Sequence, residues 1–138
     1  MTCKQAEQIA NLINARNGLL PHVTTEDVFK NQTEYLFRSI EITGEIYACV
    51  RIKKLSWYLA AHLAVAKTHQ NQGNAADLLE QCIAVAKDQG ARLLSCTVKA
   101  ENSISKRLFL SKGFMYVNSF VNEITGNRLN VYHKDLNG

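Results

Sequence analysis

Apolar residues recur along this chain at two periods, and the switches between them mark out helices and strands. Ala6, Ile9, Ala10 and Ile13 repeat at helical spacing behind a Thr2–Gln5 capping box, and Gly18 supplies a stop. Thr24 with Asp27 forms a second box, with Val23 and Val28 at the positions of a hydrophobic staple, which predicts a short helix over Thr25–Asn31. Three strand-like runs come next, Tyr35–Ile42, Ile46–Ile52 and Leu55–Val65, with turns at Thr43-Gly44 and Lys53-Lys54. They read as an antiparallel meander in which Ile46, Ala48, Val50 and Ile52 share one face.

The third run passes through Gln70-Asn71-Gln72-Gly73-Asn74-Ala75 into an amphipathic helix over Ala75–Gln89. There Ala75, Leu78, Leu79, Cys82 and Ala86 form one stripe, and Gly90 ends it. A buried strand is predicted over Ala91–Val98. After a helical crossover it should lie parallel to the Leu55–Val65 strand, making a β-α-β unit. A helix over Ser103–Lys112 behind an Asn102 cap, then strands over Phe114–Glu123 and Arg128–Leu136 joined at Thr125-Gly126-Asn127, complete the chain. The polar, glycine-containing turn at Gln70–Ala75 aims several backbone N–H groups at one spot at the positive end of a helix dipole. That is a cradle for an anion such as a phosphate, although an ordinary strand-to-helix connection has the same outline.

Composition narrows the function. With 138 residues and no low-complexity linker, the chain fits one domain over residues 1–138. The first ten residues lack the apolar core of a signal peptide and no apolar run approaches membrane-spanning length, so a soluble cytoplasmic protein is expected, with no membrane contact. Cys3, Cys49, Cys82 and Cys96 include no C-x-x-C pair and read as reduced, mostly buried thiols, with no metal site. The net charge of +4 lacks the basic, aromatic-bearing stripe of a nucleic-acid binder. It suits a phosphate-bearing ligand.

Two motifs carry a resemblance. Val65, Gln70, Gly73, Ala75, Leu78 and Leu79 stand in the pattern strand, Q/R-x-x-G-x-G/A, helix with paired leucines, and Asn102 to Gly113-Phe114 comes after it at the expected separation. In these motifs and in element order the chain resembles the GCN5-related N-acetyltransferase (GNAT) family over nearly its whole length. The resemblance implies an α/β fold with a mostly antiparallel six- to seven-stranded mixed sheet, one parallel splayed strand pair and about four flanking helices. It implies transfer of an acetyl group from acetyl-CoA, without a metal, to a primary amine on a small molecule or a protein, by direct attack. The pyrophosphate would rest on the amides of Gln70, Asn71, Gln72, Gly73, Asn74 and Ala75, and the pantetheine arm on Leu63, Ala64 and Val65. Asn102, Ser105 and Phe109 would border the same cosubstrate. Leu19–Asn31 and Asn118–Arg128 would choose the acceptor, and a homodimer through the terminal strands is compatible with the fold.

The chemistry shows where this chain departs from its relatives. The attacking amine must be neutral and the CoA thiolate must leave. Phe109 stands where many members carry a proton-donating tyrosine, and Leu59 where some carry a glutamate base. A thiol of pKa near 8.5 leaves tolerably as its anion, so a missing acid slows the reaction without forbidding it. Tyr116 and Tyr132 are the substitute acids and His62 the substitute base, set against packing roles for all three. Neutralising a lysine at pH 7 costs about 4.6 kcal/mol and an α-amine about 1 kcal/mol, so weak base chemistry favours a low-pKa amine. Two other readings compete with the enzyme. One is a CoA-binding or protein-interaction module that has lost its chemistry, and the other is a small nucleotide-binding domain, for which the G-x-G-x-x-G and G-K-[ST] patterns are missing.

Overall fold

The computed structural model describes residues 1–17, 22–55 and 58–137. A six-stranded sheet runs through the molecule, with helices on both faces. In chain order the elements are α1 (Cys3–Asn17), α2 (Thr25–Lys30), β1 (Tyr35–Ser39), β2 (Ile46–Lys54), β3 (Tyr58–Val65), α3 (Asn74–Asp88), β4 (Leu93–Lys99), α4 (Ser103–Ser111), β5 (Met115–Val121) and β6 (Arg128–Asp135). The strands lie in the order β1-β2-β3-β4-β6-β5, and every neighbouring pair is antiparallel except β3 with β4. The mixed sheet, its single parallel pair and the four helices agree with the fold expected from the sequence.

The Thr2–Gln5 box forms in both directions, and at Thr24 the cap hydrogen bond forms. Gln5 N–H donates to Thr2 Oγ1 at 3.1 Å, and Asp27 N–H donates to Thr24 Oγ1 at 3.1 Å. The Gly18 stop and residues 19–21 of the segment expected to choose the acceptor lie outside the described residues, as do residues 56 and 57 of the third strand-like run. The sheet separates two cores. Ala6, Ile9, Ala10 and Ile13 of α1 and Val28 of α2 pack with Tyr35, Ile46, Cys49 and Ala64 on one face. Leu78, Leu79, Cys82 and Ala86 of α3 and Phe109 of α4 pack with Ala48, Val50, Ile52, Tyr58, Ala60 and Leu94 on the other.

Two local expectations fail for physical reasons. Lys53 and Lys54 are not a turn: they pair with Leu59 and Tyr58 as the last residues of β2, and the Lys54 ammonium lies 5.7 Å from the Tyr58 ring centroid. Ile46 does not share a face with Ala48, Val50 and Ile52, because Arg38 pairs with Ala48 while Ser39 pairs with Ile46. Tyr47 is thus an extra residue on β2, and Ile46 falls into the opposite core.

Candidate functional site

The parallel pair of strands is joined only at its start. Tyr58 pairs with Leu94 and Leu59 with Ser95, and among the described residues no ladder pair joins Ala60–Val65 to Cys96–Lys99. Their outer edges are occupied by β2 and β6, so the facing inner edges carry unpaired backbone donors and acceptors at the C-terminal ends of both strands. Leu63, Ala64 and Val65 lie on that free stretch of β3.

Val65 leads through a 3-10 turn at Lys67–His69 into the Gln70–Ala75 turn, and the helix begins at Asn74. Two residues adopt left-handed backbone, Asn71 with φ 62° and Gly73 with φ 80°. Asparagine and glycine are the residues that reach this region at least cost. The turn's side chains fold back on its own main chain: Gln70 Nε2 donates to the Val65 carbonyl at 3.2 Å and Asn74 Nδ2 to the His69 carbonyl at 2.8 Å. The loop is therefore held from within by Gln70 and Asn74. Thr2, Thr24 and Asn102 cap the other three helices with their side chains, but the cap of α3 is Gly73, which has no side chain to offer. The first amides of α3 thus stay open at the positive end of a fifteen-residue helix, at the mouth of the splayed strands.

His62 occupies a β-bulge. Cys49 pairs with Ala64 and Arg51 with Ala61, so β3 holds one residue more than β2 over this stretch, and His62 has φ 56°. The extra residue switches the faces of the strand: Tyr58 and Ala60 face the α3 core before it, and Leu63 and Val65 face that core after it. Burial, then the positive charges of Arg51 and Lys53, push the imidazole pKa down from 6.5 to about 4. Its Nδ1 is buried without a hydrogen-bond partner.

The three proton-transfer candidates do not come together. Arg51, beside His62, lies with its guanidinium 5.7 Å from the ring centroid of Tyr35, a member of the α1 core. Tyr132 is buried in the α3 core, with its hydroxyl accepting from Asn130 Nδ2 at 3.4 Å. Tyr116 is 55% exposed and meets the Tyr132 ring edge-on. Both tyrosines lie on β5 and β6, across β4 from His62. Phe109 is buried edge-on against Phe114. Asn102 caps α4 through Oδ1, which accepts from the Ser105 amide at 3.1 Å, leaving its Nδ2 donors for another partner.

The pattern of the sequence missed several neighbours of the site. The Tyr47 ring stacks on His69, and Thr68 Oγ1 lies 2.8 Å from His69 Nδ1. Arg51 donates from Nη2 to Glu34 Oε1 at 2.8 Å, forming an ion pair that Glu34 brings from the end of the turn before β1. A tyrosine and an arginine inside alternating strands carry no local mark of these roles; only register makes them neighbours. Among the described residues there is no cluster of histidine, cysteine or acidic residues fit for a metal, and no helix long and apolar enough to cross a membrane.

Comparison with known proteins places this geometry. The model of the acetyltransferase (GNAT) family matches residues 6–114. No curated protein sequence matches. Among solved structures, the ribosomal-protein-S18-alanine N-acetyltransferase from Escherichia coli is similar with a TM-score of 0.77 at 18% identity, covering 99% of this chain and 90% of that one. Ard1 from Thermoplasma volcanium gives 0.83 at 13% identity, covering 98% and 93%. A chain of the NatC complex bound to Gag peptide and CoA gives 0.81 at 16% identity, covering 95% and 90%. At these identities the likeness is one of fold.

Proposed function

The chain belongs to the GNAT acetyltransferase family, and on that premise we propose that it transfers the acetyl group of acetyl-CoA to a primary amine by direct attack in a ternary complex. The observation that carries this reading is the opening of β3 from β4 beside the uncapped start of α3. The free inner edges offer backbone hydrogen bonds to an extended arm, and the open amides offer an anion site where that arm would end. Leu63, Ala64 and Val65 would hold the pantetheine, Gln70 to Ala75 the pyrophosphate, and Asn102 Nδ2 would add a donor from across the opening, with Ser105 and Phe109 bordering it. Bound there, acetyl-CoA supplies the thioester that the amine attacks.

Proton handling falls to few groups. His62 is the base in this reading, with Tyr116 and Tyr132 as the hydroxyls available for the leaving sulfur. An unpartnered buried lone pair is cheaper than an unpartnered N–H, which favours the His62 tautomer protonated on Nε2, with Nδ1 free to accept. An imidazole with pKa about 4 is neutral at pH 7 but too weak to strip a lysine ammonium. The acceptor is therefore a low-pKa amine, an α-amine in the first place.

Release of free thiol from acetyl-CoA across a panel of amines tests the proposal. Turnover with α-amines well above matched lysine side chains is expected, and the reverse order would sink the α-amine reading. Burial of Phe109 against Phe114, with no hydroxyl at that place, favours one alternative: a CoA-binding module with weakened chemistry. That alternative predicts CoA binding with no amine-dependent thiol release.

A further inference from the structure

A straight row of side chains crosses the face of the sheet opposite α3. Lys53 of β2 pairs with Leu59 of β3, Leu59 with Ser95 of β4, and Ser95 with His133 of β6. Their chain neighbours Ile52, Tyr58, Leu94 and Tyr132 belong to the α3 core, so the four residues of the row point the other way. Leu59 with Ser95 is the last pair before β3 and β4 part, which sets Lys53 beside the foot of the opening. On this face α1 and α2 pack over β1, β2 and β3, and among the described residues none of β4, β5 or β6 joins that core. The row ends in the open: Met115, opposite His133, is 72% exposed.

Three cations follow closely along β2, and two of them are engaged. Arg51 holds Glu34, and Lys54, on the α3 side, lies over the Tyr58 ring. Lys53 is half-buried and makes no ion pair among the described residues, yet its charge acts on the His62 imidazole together with that of Arg51. A half-buried cation without a counter-charge, beside the group that would receive the amine's proton, leaves a place for an anion carried by the acceptor.

We propose that Lys53 selects the acceptor by pairing with the side-chain carboxylate of an acidic first residue of a peptide, whose α-amine meets His62. This rests on the acetyl-transfer reading and narrows its acceptor. A peptide suits the site better than a free amino acid on two counts. Its α-amine has a pKa of about 7.8, whereas a carboxylate on the same carbon makes the amine of a free amino acid harder to neutralise. Its chain also has the uncovered part of the sheet to lie on, past His133 toward Met115. Lys53 takes no part in the bonds that change: the amine nitrogen joins the acetyl carbon, the C–S bond breaks, the amine's proton passes to His62, and CoA leaves as its thiolate.

Thiol release from acetyl-CoA by the full chain is compared for peptides that differ only in aspartate or asparagine as first residue. The aspartate peptides should have kcat/KM about tenfold higher, the size of one charge-assisted hydrogen bond. Lys53→Met should erase that ratio and Lys53→Glu should turn it toward the asparagine peptides, while Lys54→Met, on the other face, should keep it. Equal rates for the two peptides, a ratio that survives Lys53→Met, a ratio lost equally in Lys54→Met, or free aspartate turning over faster than the peptides would each overturn the proposal. Failure of the transfer reading is told apart by binding. If no amine releases thiol, titration calorimetry of the same peptides with CoA present reads the ratio in Kd: a tenfold preference that Lys53→Met removes upholds the role of Lys53, and equal affinities end it.

Discussion

The rings of Tyr47 and His69 stack with centroids 4.2 Å apart and planes 14° from parallel, fastening β2 to the turn that leads into the start of α3. Ala66 N–H donates to the Tyr47 carbonyl at 2.7 Å, so backbone and ring act at the same point. A stacked pair contributes about 0.5 to 1.5 kcal/mol. Tyr47→Ala should therefore weaken CoA binding several-fold by loosening the turn before the ligand arrives. Titration calorimetry would show it, and unchanged affinity would mean that the turn holds its shape unaided.

Gly73 separates ligand binding from folding. A Cβ placed on it meets nothing within 4 Å, yet its φ of 80° makes any side chain strained. Gly73→Ala should cost about 1 kcal/mol of stability by chemical denaturation. The loss of CoA affinity should be larger, tenfold or more, because the methyl would occupy space the cradle needs for a phosphate. Equal losses in both measurements would argue against an anion at this turn.

His62 makes stability depend on pH in a stated direction. Its pKa falls from 6.5 to about 4 on folding, so between those values the unfolded chain takes up a proton that the folded chain refuses. Stability therefore rises with pH across this window and is lost as pH drops through it. Melting temperatures should decline from pH 6.5 to 4, and His62→Gln should flatten the decline. If His62 is the base, an acid limb it imposes on kcat/KM should centre near pH 4. A limb near neutrality that survives in His62→Gln belongs to the amine.

Arg51 can be tested through the same imidazole. Arg51→Met should raise the His62 pKa part of the way toward 6.5, measured by NMR titration of the ring, because burial rather than charge is the larger cause of the shift. Glu34→Gln should instead lower stability by about 1 to 3 kcal/mol, since it leaves a half-buried guanidinium without its carboxylate.

Asn102 has a capping role in the structure and a proposed role toward pantetheine. Asn102→Ala should destabilise the protein by about 1 kcal/mol, whereas Asn102→Ser should keep the cap. If the Nδ2 donors hold the cosubstrate, the serine variant should lose CoA affinity as the alanine variant does while melting like the wild type.

Order and type of elements were legible because caps, glycine stops and the two hydrophobic periods agree along the chain. The Asn102 cap and the parallel crossing of β3 with β4 arise from local signals of this kind. Register was not legible. Reading Lys53-Lys54 as a turn rests on their polarity, but partners across the strand, Leu59 and Tyr58, keep them in β2. The extra residues at Tyr47, His62 and Val117 leave no trace in composition, and each reverses the faces of the strand residues beyond it. The Gln70–Ala75 connection was visible as a turn, whereas the Arg51–Glu34 pair and the burial of Tyr132 depend on distant strands.

The bulge at His62 acts on β3 as a shift of reading frame acts on a message. Tyr58 and Ala60 are read into one core, and if the strand alternated strictly through His62, Ala64 would join them there while Leu63 and Val65 passed to the other side. Losing His62 alone would let Ala61, Leu63, Ala64 and Val65 pair in step with β2 and keep the faces they now have, whereas flattening the bulge with the residue retained would misplace every side chain up to the turn after Val65. What the inserted residue adds is therefore the local kink itself, with its backbone in the left-handed region at His62, rather than the sorting of the last side chains of the strand.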